Sequence, residues 1–226
     1  MNSVTVDPVW EEKYSSGHCE HAPWDAVVTF IFRHAPRDRS RSDVRILEIG
    51  CGTGSNLLFA AQQGFSVTGL DCSPSAIKTA NDKFSLLNLN GDLRVGDFTS
   101  LPFGDNTFDL VVDRGALTCV GQKHAATAVA EVHRVIRQGG YFYLNPYSER
   151  HSSRASGKRG PDGLRYEISE GTLTGVGQIC FYGRGDVEQL LDEGWQIKSL
   201  IHIESVEVSC AVQLTHAEWR TVAVAR

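Results

Sequence analysis

Ile46-Leu47-Glu48-Ile49-Gly50-Cys51-Gly52-Thr53-Gly54-Ser55-Asn56 decides the fold. An apolar strand runs into a glycine turn, and a helix starts at once. A second apolar strand, Ser66-Val67-Thr68-Gly69-Leu70, then ends on Asp71. This is the βαβ arrangement that holds a nucleoside: glycines let a ligand touch backbone, and the acid reaches the ribose hydroxyls. Gly50, Gly52 and Gly54 spell G-x-G-x-G, not the G-x-G-x-x-G that seats a pyrophosphate on a helix N-terminus. The turn carries no lysine, so it is not a Walker loop. Glu48 would repel a phosphate and attract an ammonium group.

A ligand with a ribose, an ammonium group and no phosphate is S-adenosylmethionine. Three further stretches follow in order: Val95-Gly96-Asp97-Phe98, then Phe108 to Asp113, then Arg134 to Gly140 leading into Tyr141 to Leu144. With them the chain resembles the class I S-adenosylmethionine-dependent methyltransferases, closely over residues 44–145 and loosely elsewhere. The resemblance implies that Asp97 faces the adenine amine, Phe98 lies beside the ring, and Asp113 and Arg114 lie near the reacting methyl. Glu48, Gly50, Cys51, Gly52, Asp71 and Cys72 complete the expected core of the cofactor site. It also implies an α/β fold, a doubly wound, mostly parallel seven-stranded sheet of order 3-2-1-4-5-7-6 with the last strand antiparallel and helices on both faces.

Helical signals run through about 8–16, 24–35, 54–63, 73–88, 122–137 and 184–193. Strands fit 44–49, 66–70, 92–96, 109–113, 140–145, about 197–208 and 217–225. Pro74 suits a first helical turn, and Gly194 reads as the cap closing the helix that begins near Asp186. At 226 residues the expectation is one domain, with a helical cover at 1–35, a cofactor core at 44–145, and a substrate loop and hairpin at 146–226.

A net charge of −5 argues against a general grip on nucleic-acid phosphates. No apolar run reaches the length of a membrane span, and the start lacks a basic-then-apolar signal pattern. Six scattered cysteines without a C-x-x-C read as free thiols of a cytoplasmic protein. His18-Cys19-Glu20-His21 carries metal-ligand residue types, but the spacing matches no established pairing and no second cluster completes it, so no metal is expected. His133 reads as part of a solvated helix face.

Trp10 and Tyr14, at i and i+4, share a helix face. With Pro23-Trp24-Asp25 they resemble the N-terminal cover of small-molecule methyltransferases, where aromatic residues close over the cofactor; the alternative is plain core packing. Ser148 to Gly163 has no apolar periodicity and many breakers. It reads either as a mobile surface loop or as a lid whose Arg150, Arg154, Lys158 and Arg159 meet an anionic acceptor.

Methyl transfer from a sulfonium asks mainly for alignment and exclusion of water, since the cofactor arrives activated. A base is needed only for a nucleophile that keeps its proton, and Tyr147, His151 and Asp113 are the candidates. The expected acceptor is an O or N atom of a small molecule, with no membrane or nucleic-acid partner; a homodimer is compatible with the sequence. A protein or nucleic-acid acceptor, a nicotinamide-dependent oxidoreductase and a non-catalytic binding module stay open as alternatives. The oxidoreductase is disfavoured by the glycine spacing and Glu48.

Overall fold

The computed structural model describes residues 7–209 and 213–226. Two helices, α1 (Val9–Ser15) and α2 (Asp25–His34), precede the sheet. Then come β1 (Arg45–Ile49), α3 (Ser55–Gln62), β2 (Ser66–Asp71), α4 (Pro74–Leu86), β3 (Asp92–Val95), β4 (Phe108–Arg114), α5 (Gln122–Val135) and β5 (Ile136–Asn145). Three short strands follow, β6 (Lys158–Arg159), β7 (Leu164–Tyr166) and β8 (Ile179–Cys180), then α6 (Arg184–Leu190), β9 (Trp195–Glu207) and β10 (Leu214–Ala225).

The large sheet has the order β3-β2-β1-β4-β5-β10-β9, and β10 runs antiparallel to both its neighbours. The expected topology is therefore observed. Its parallel strands are apolar on both faces because helices cover both. Leu47, Ile49, Val111, Phe142 and Leu144 pack with α5, while Ile46, Leu110, Val112 and Tyr143 pack with α2, α3 and α4. The two-residue period puts Glu48 on the same face as Ile46, toward α3. Sequence also explains the start of α4: the Ser73 hydroxyl accepts the Ala76 N–H at 3.0 Å, and Pro74 opens the helix.

Four expectations need correction. The helix read as 122–137 ends at Val135, and the strand read from 140 begins at Ile136. Two consecutive β-branched residues favour extended backbone there, and Ile136 is buried against the core beside Phe108. Gly194 does not cap α6, which stops at Leu190; its left-handed φ of +78° turns the chain into β9 instead. His133 is not simply solvated, since its Nε2 meets the Gly194 carbonyl at 3.0 Å and its ring meets Trp195 edge-on.

The stretch from Ser148 to Gly163 is also no plain loop. It contains a 3-10 turn at Ser152–Ala155 and strand β6, which joins β7 and β8 in a small antiparallel sheet. That sheet carries Ile168, Leu173, Ile179 and Phe181 into one cluster with Cys119, against Trp10, Tyr147 and Val176. Among the described cysteines, Cys19, Cys51, Cys72, Cys119 and Cys180 are free thiols; Cys210 lies outside the described residues. Among the described residues no helix is long and apolar enough to cross a membrane.

Candidate functional site

The glycine turn sits at the carboxyl ends of β1 and β2 and forms the floor of a cleft. Gly50 and Gly52 have φ of +62° and +52°, backbone that disfavours any side chain. A Cβ on Gly50 would lie 2.2 Å from Ala116 Cβ, and one on Gly52 would lie 2.6 Å from the Tyr14 hydroxyl. Asp71 accepts the Gly52 N–H at 2.8 Å through Oδ2 and the Ser73 N–H at 2.9 Å through Oδ1. Burial raises its pKa, and those two backbone bonds oppose the rise. Asp71 is 6% exposed, so it does not stand in an open cleft.

Glu48 is buried, and its Oε1 accepts the Asn56 Nδ2–H at 2.7 Å. Its Oε2 has no hydrogen-bond partner although it lines the same cleft. Burial pushes this carboxyl up to about 8, the Asn56 bond lowers it, and the charges of Glu20, Asp113 and Asp71 raise it further. A buried carboxylate oxygen without a partner is costly, so the site suits a ligand that brings a cation or donor.

The N-terminal segment covers this floor. Trp10 and Tyr14 line the cleft with ring centroids 6.0 Å apart. Glu11 holds α1 in place by accepting the hydroxyls of Ser73 and Ser75 at the start of α4. Lys83 pins the next stretch, donating to the Glu20 carbonyl at 2.8 Å and the Thr53 carbonyl at 3.1 Å. The Trp24 N–H donates to Asn56 Oδ1 at 2.9 Å, so the same asparagine orders both Glu48 and the cover.

Beyond the turn the cleft becomes apolar. Trp24, Cys119, Val120, Leu173, Val176 and Ile179 line it, with Arg114 and Tyr147 among them. The Arg114 guanidinium lies 3.8 Å from the centroid of the Trp24 ring. Burial raises the Tyr147 hydroxyl's pKa, while the neighbouring Arg114 lowers it. The thiols of Cys72 and Cys119 are pushed up to about 12 by burial, so both stay protonated near neutral pH.

The fold thus brings Trp10, Tyr14, Glu48, Gly50, Cys51, Gly52, Asp71, Cys72, Phe98, Arg114 and Tyr147 into one cleft. Three expected residues stand outside its lining. Asp97 turns back on its own loop, its Oδ1 accepting the N–H and hydroxyl of Thr99, both at 2.8 Å. Asp113 is fully buried, and its Oδ1 accepts the N–H groups of Ala116 and Leu117, both at 3.0 Å. It caps the 3-10 turn after β4, whose first donors have no other acceptor. Burial puts it at about 6 against those bonds. His151 is 2% exposed and packs on Tyr147, Phe181 and His216.

The basic side chains also point elsewhere. Arg150 pairs with Glu204 at 2.7 Å and Lys158 with Glu167 at 2.5 Å; Arg154 lies 3.9 Å from Glu149. Sequence reasoning missed Leu173, Val176 and Ile179 as wall residues, because they are scattered among Gly171, Gly175 and Gly177 without a helix or strand period. It also missed Asn56, whose only signal is its place in the first turn of α3. Among the described residues no group of three or more His, Cys, Asp or Glu side chains is placed to hold a metal ion.

Residues 46–140 match the profile of a family described as a methyltransferase domain. A phthiotriol/phenolphthiotriol dimycocerosates methyltransferase of Mycobacterium tuberculosis is 36% identical over 107 residues, covering 46% of this chain and 37% of that relative. The chain thus matches little more than a third of that relative's length. In fold it resembles a Methanosarcina mazei S-adenosylmethionine-dependent methyltransferase, with TM-score 0.71 and 23% identity over 91% of this chain and 99% of that one. A structure reported for the conversion of a disulfide bond into a thioacetal group during echinomycin biosynthesis gives TM-score 0.69 and 25% identity, covering 90% and 82%. Four motifs in register, this profile over residues 46–140 and this strand order agree: the chain carries a methyltransferase-domain match on a fold like that of class I S-adenosylmethionine-dependent methyltransferases.

Proposed function

We propose that the protein transfers a methyl group from S-adenosylmethionine to an O or N atom of an apolar small molecule. The observation that carries this reading is the division of one cleft. Glu20, Glu48 and Asp71 gather at the glycine turn, and apolar side chains wall the rest. Acids suit a cationic donor, and dry walls suit an apolar acceptor. Asp71 would take the ribose hydroxyls, Glu48 Oε2 the ammonium group, and Phe98 the adenine face. Backbone at Gly50 and Gly52 would approach the methionine portion, with Cys51 and Cys72 beside it and Trp10 and Tyr14 above. Asp97 would take the adenine amine through Oδ2, since both Thr99 bonds use Oδ1.

When bound, the cofactor supplies a methyl on a sulfonium, and the acceptor's lone pair forms the new bond as the carbon–sulfur pair stays on sulfur. The protein's share is positioning and dryness, which can supply about 7–11 kcal/mol. Asp113 shapes the turn under the reacting atoms instead of touching them. Tyr147 packs against the apolar wall cluster, and its hydroxyl would orient the nucleophile.

Calorimetric titration with adenosylmethionine and with nicotinamide nucleotides tests the donor. A mass-shift screen of small acceptors, read together with adenosylhomocysteine formation, tests the transfer. Binding of a nicotinamide nucleotide and not of adenosylmethionine would overturn the reading.

A further inference from the structure

Arg114 is the one Lys, Arg or His among the described residues lining the cleft. The acids of the cleft lie at the glycine turn, so a fixed cation beyond them, among the apolar walls, suits a negative group on the acceptor. Its surroundings are built with care. Glu218 on β10 is 3% exposed, and its Oε2 lies 3.7 Å from Arg114 while its Oε1 accepts the Arg220 Nε–H at 2.7 Å. Glu218 serves two guanidiniums, and of the two only Arg114 lines the cleft. With Trp24 against it as well, the Arg114 guanidinium is confined between an aromatic face and Glu218.

The array continues away from the cleft. His216 Nε2 lies 3.5 Å from Glu218 Oε2, and His216 Nδ1 lies 3.3 Å from His151 Nε2. His151 Nδ1 accepts the Ser153 N–H at 3.1 Å, which leaves the ring proton on Nε2. Thr172 Oγ1 meets that Nε2 at 3.1 Å, and the next residue, Leu173, donates its N–H to Ser153 Oγ at 3.1 Å. Arg114 and the apolar wall at Leu173 are therefore the two ends of one chain of polar contacts, buried at Glu218 and His151. Glu218, His216 and His151 touch neither donor nor acceptor space, yet they hold both sides of it.

We infer that Glu218, backed by His216 and His151, is a positioning residue that presents Arg114 to an acceptor reacting as an anion, such as an acidic hydroxyl or imide. This rests on the methyl-transfer reading above and narrows its acceptor. An acceptor that has already lost its proton to bulk water needs no base, and among the described residues no histidine lines the cleft to serve as one. An anion meeting a sulfonium also loses charge on the way to the transition state, which apolar walls favour.

The test uses 4-nitrophenolate at about pH 8 and its neutral counterpart 4-nitrobenzyl alcohol, titrated by tryptophan fluorescence into protein loaded with adenosylhomocysteine. The wild type should prefer the phenolate by about tenfold, as a desolvated charge pair commonly gives. Glu218→Gln should bring the two probes near parity, leaving adenosylhomocysteine affinity within about twofold. His216→Gln keeps an N–H where Nε2 stands and should retain most of the preference, whereas His216→Leu should not. A general loss of packing would weaken all three ligands together. Should Glu218→Gln not fold, the pair of His216 variants carries the same comparison. Absence of adenosylhomocysteine binding would sink the methyl-transfer reading itself. Normal adenosylhomocysteine binding with no phenolate preference, or a preference unmoved in Glu218→Gln, overturns this inference alone.

Discussion

Gly52 donates its backbone N–H to Asp71 Oδ2 at 2.8 Å, so the acid at the end of β2 holds the glycine turn in shape before any ligand arrives. The same carboxylate accepts the Ser73 N–H that leads into α4. The acid proposed to take the ribose is thus also a brace between two loops. Its lone pairs suffice for both duties, because a carboxylate can accept about four hydrogen bonds.

Asp71→Ala should therefore do more than weaken the cofactor. Two buried N–H groups lose their acceptor, each at about 1–3 kcal/mol. Unfolding in urea should show a stability loss of about 2–6 kcal/mol, and calorimetry a cofactor loss of about 2–4 kcal/mol. An Asp71→Ala variant of wild-type stability would contradict the bracing role, which sequence reasoning did not anticipate.

The glycine turn yields a second test. Gly50→Ala places a methyl 2.2 Å from Ala116 Cβ, a single atom with no rotamer to escape into. At Gly52 the obstacle is the end of Tyr14, which can move with its helix. Gly50→Ala should destabilise the fold and abolish cofactor binding more completely than Gly52→Ala. Adding Ala116→Gly should recover part of the loss, leaving about 1–2 kcal/mol of left-handed strain. If the double variant is no better than Gly50→Ala in thermal unfolding and cofactor titration, the contact is not the cause.

The basic stretch from Arg150 to Arg159 carries a reversed expectation. Arg150, Arg154 and Lys158 meet Glu204, Glu149 and Glu167, and neither they nor Arg159 line the cleft. Exposed ion pairs contribute about 0–1 kcal/mol each. Replacing Arg150, Arg154, Lys158 and Arg159 with serine should leave acceptor KM and cofactor affinity within about twofold. A several-fold rise in KM that grows at low salt would restore the lid reading.

What could be read from the chain follows the range of the forces involved. The β1 glycine turn, Asp71 and the strand order are written locally, since βαβ units carry their own period and handedness. Asp113 shows the limit: the motif places it at the end of β4, but only the need of the Ala116 and Leu117 N–H groups for an acceptor turns its side chain away from the cleft. Glu218 lay beyond reach for another reason. Its register opposite Tyr147 joins two segments far apart in sequence, and no local pattern in β10 distinguishes it from a solvent-facing acid.

As the proposed partner of the ammonium group, Glu48 should tie cofactor binding to pH. Burial lifts its carboxyl from the ordinary 4.5 to about 8, with the Asn56 bond opposing and the neighbouring acids adding. In the cofactor-free protein it is mostly protonated at neutral pH, while in the unfolded chain it is ionised. This group's contribution to stability is therefore fully present below pH 4.5 and is lost as pH rises toward 8. A cationic ligand reverses the preference, because the ammonium group favours the ionised carboxylate. Below about pH 8 binding must then expel a proton, and affinity should fall by up to about tenfold per pH unit, levelling above that point. At about pH 7, calorimetry in buffers of different ionisation enthalpy should register release of close to one proton. Glu48→Gln should bind more weakly, with a flat pH profile and no proton release. If the wild-type profile is already flat between about pH 6 and 8, Glu48 does not face the cofactor's charge, and its unpaired oxygen needs another partner.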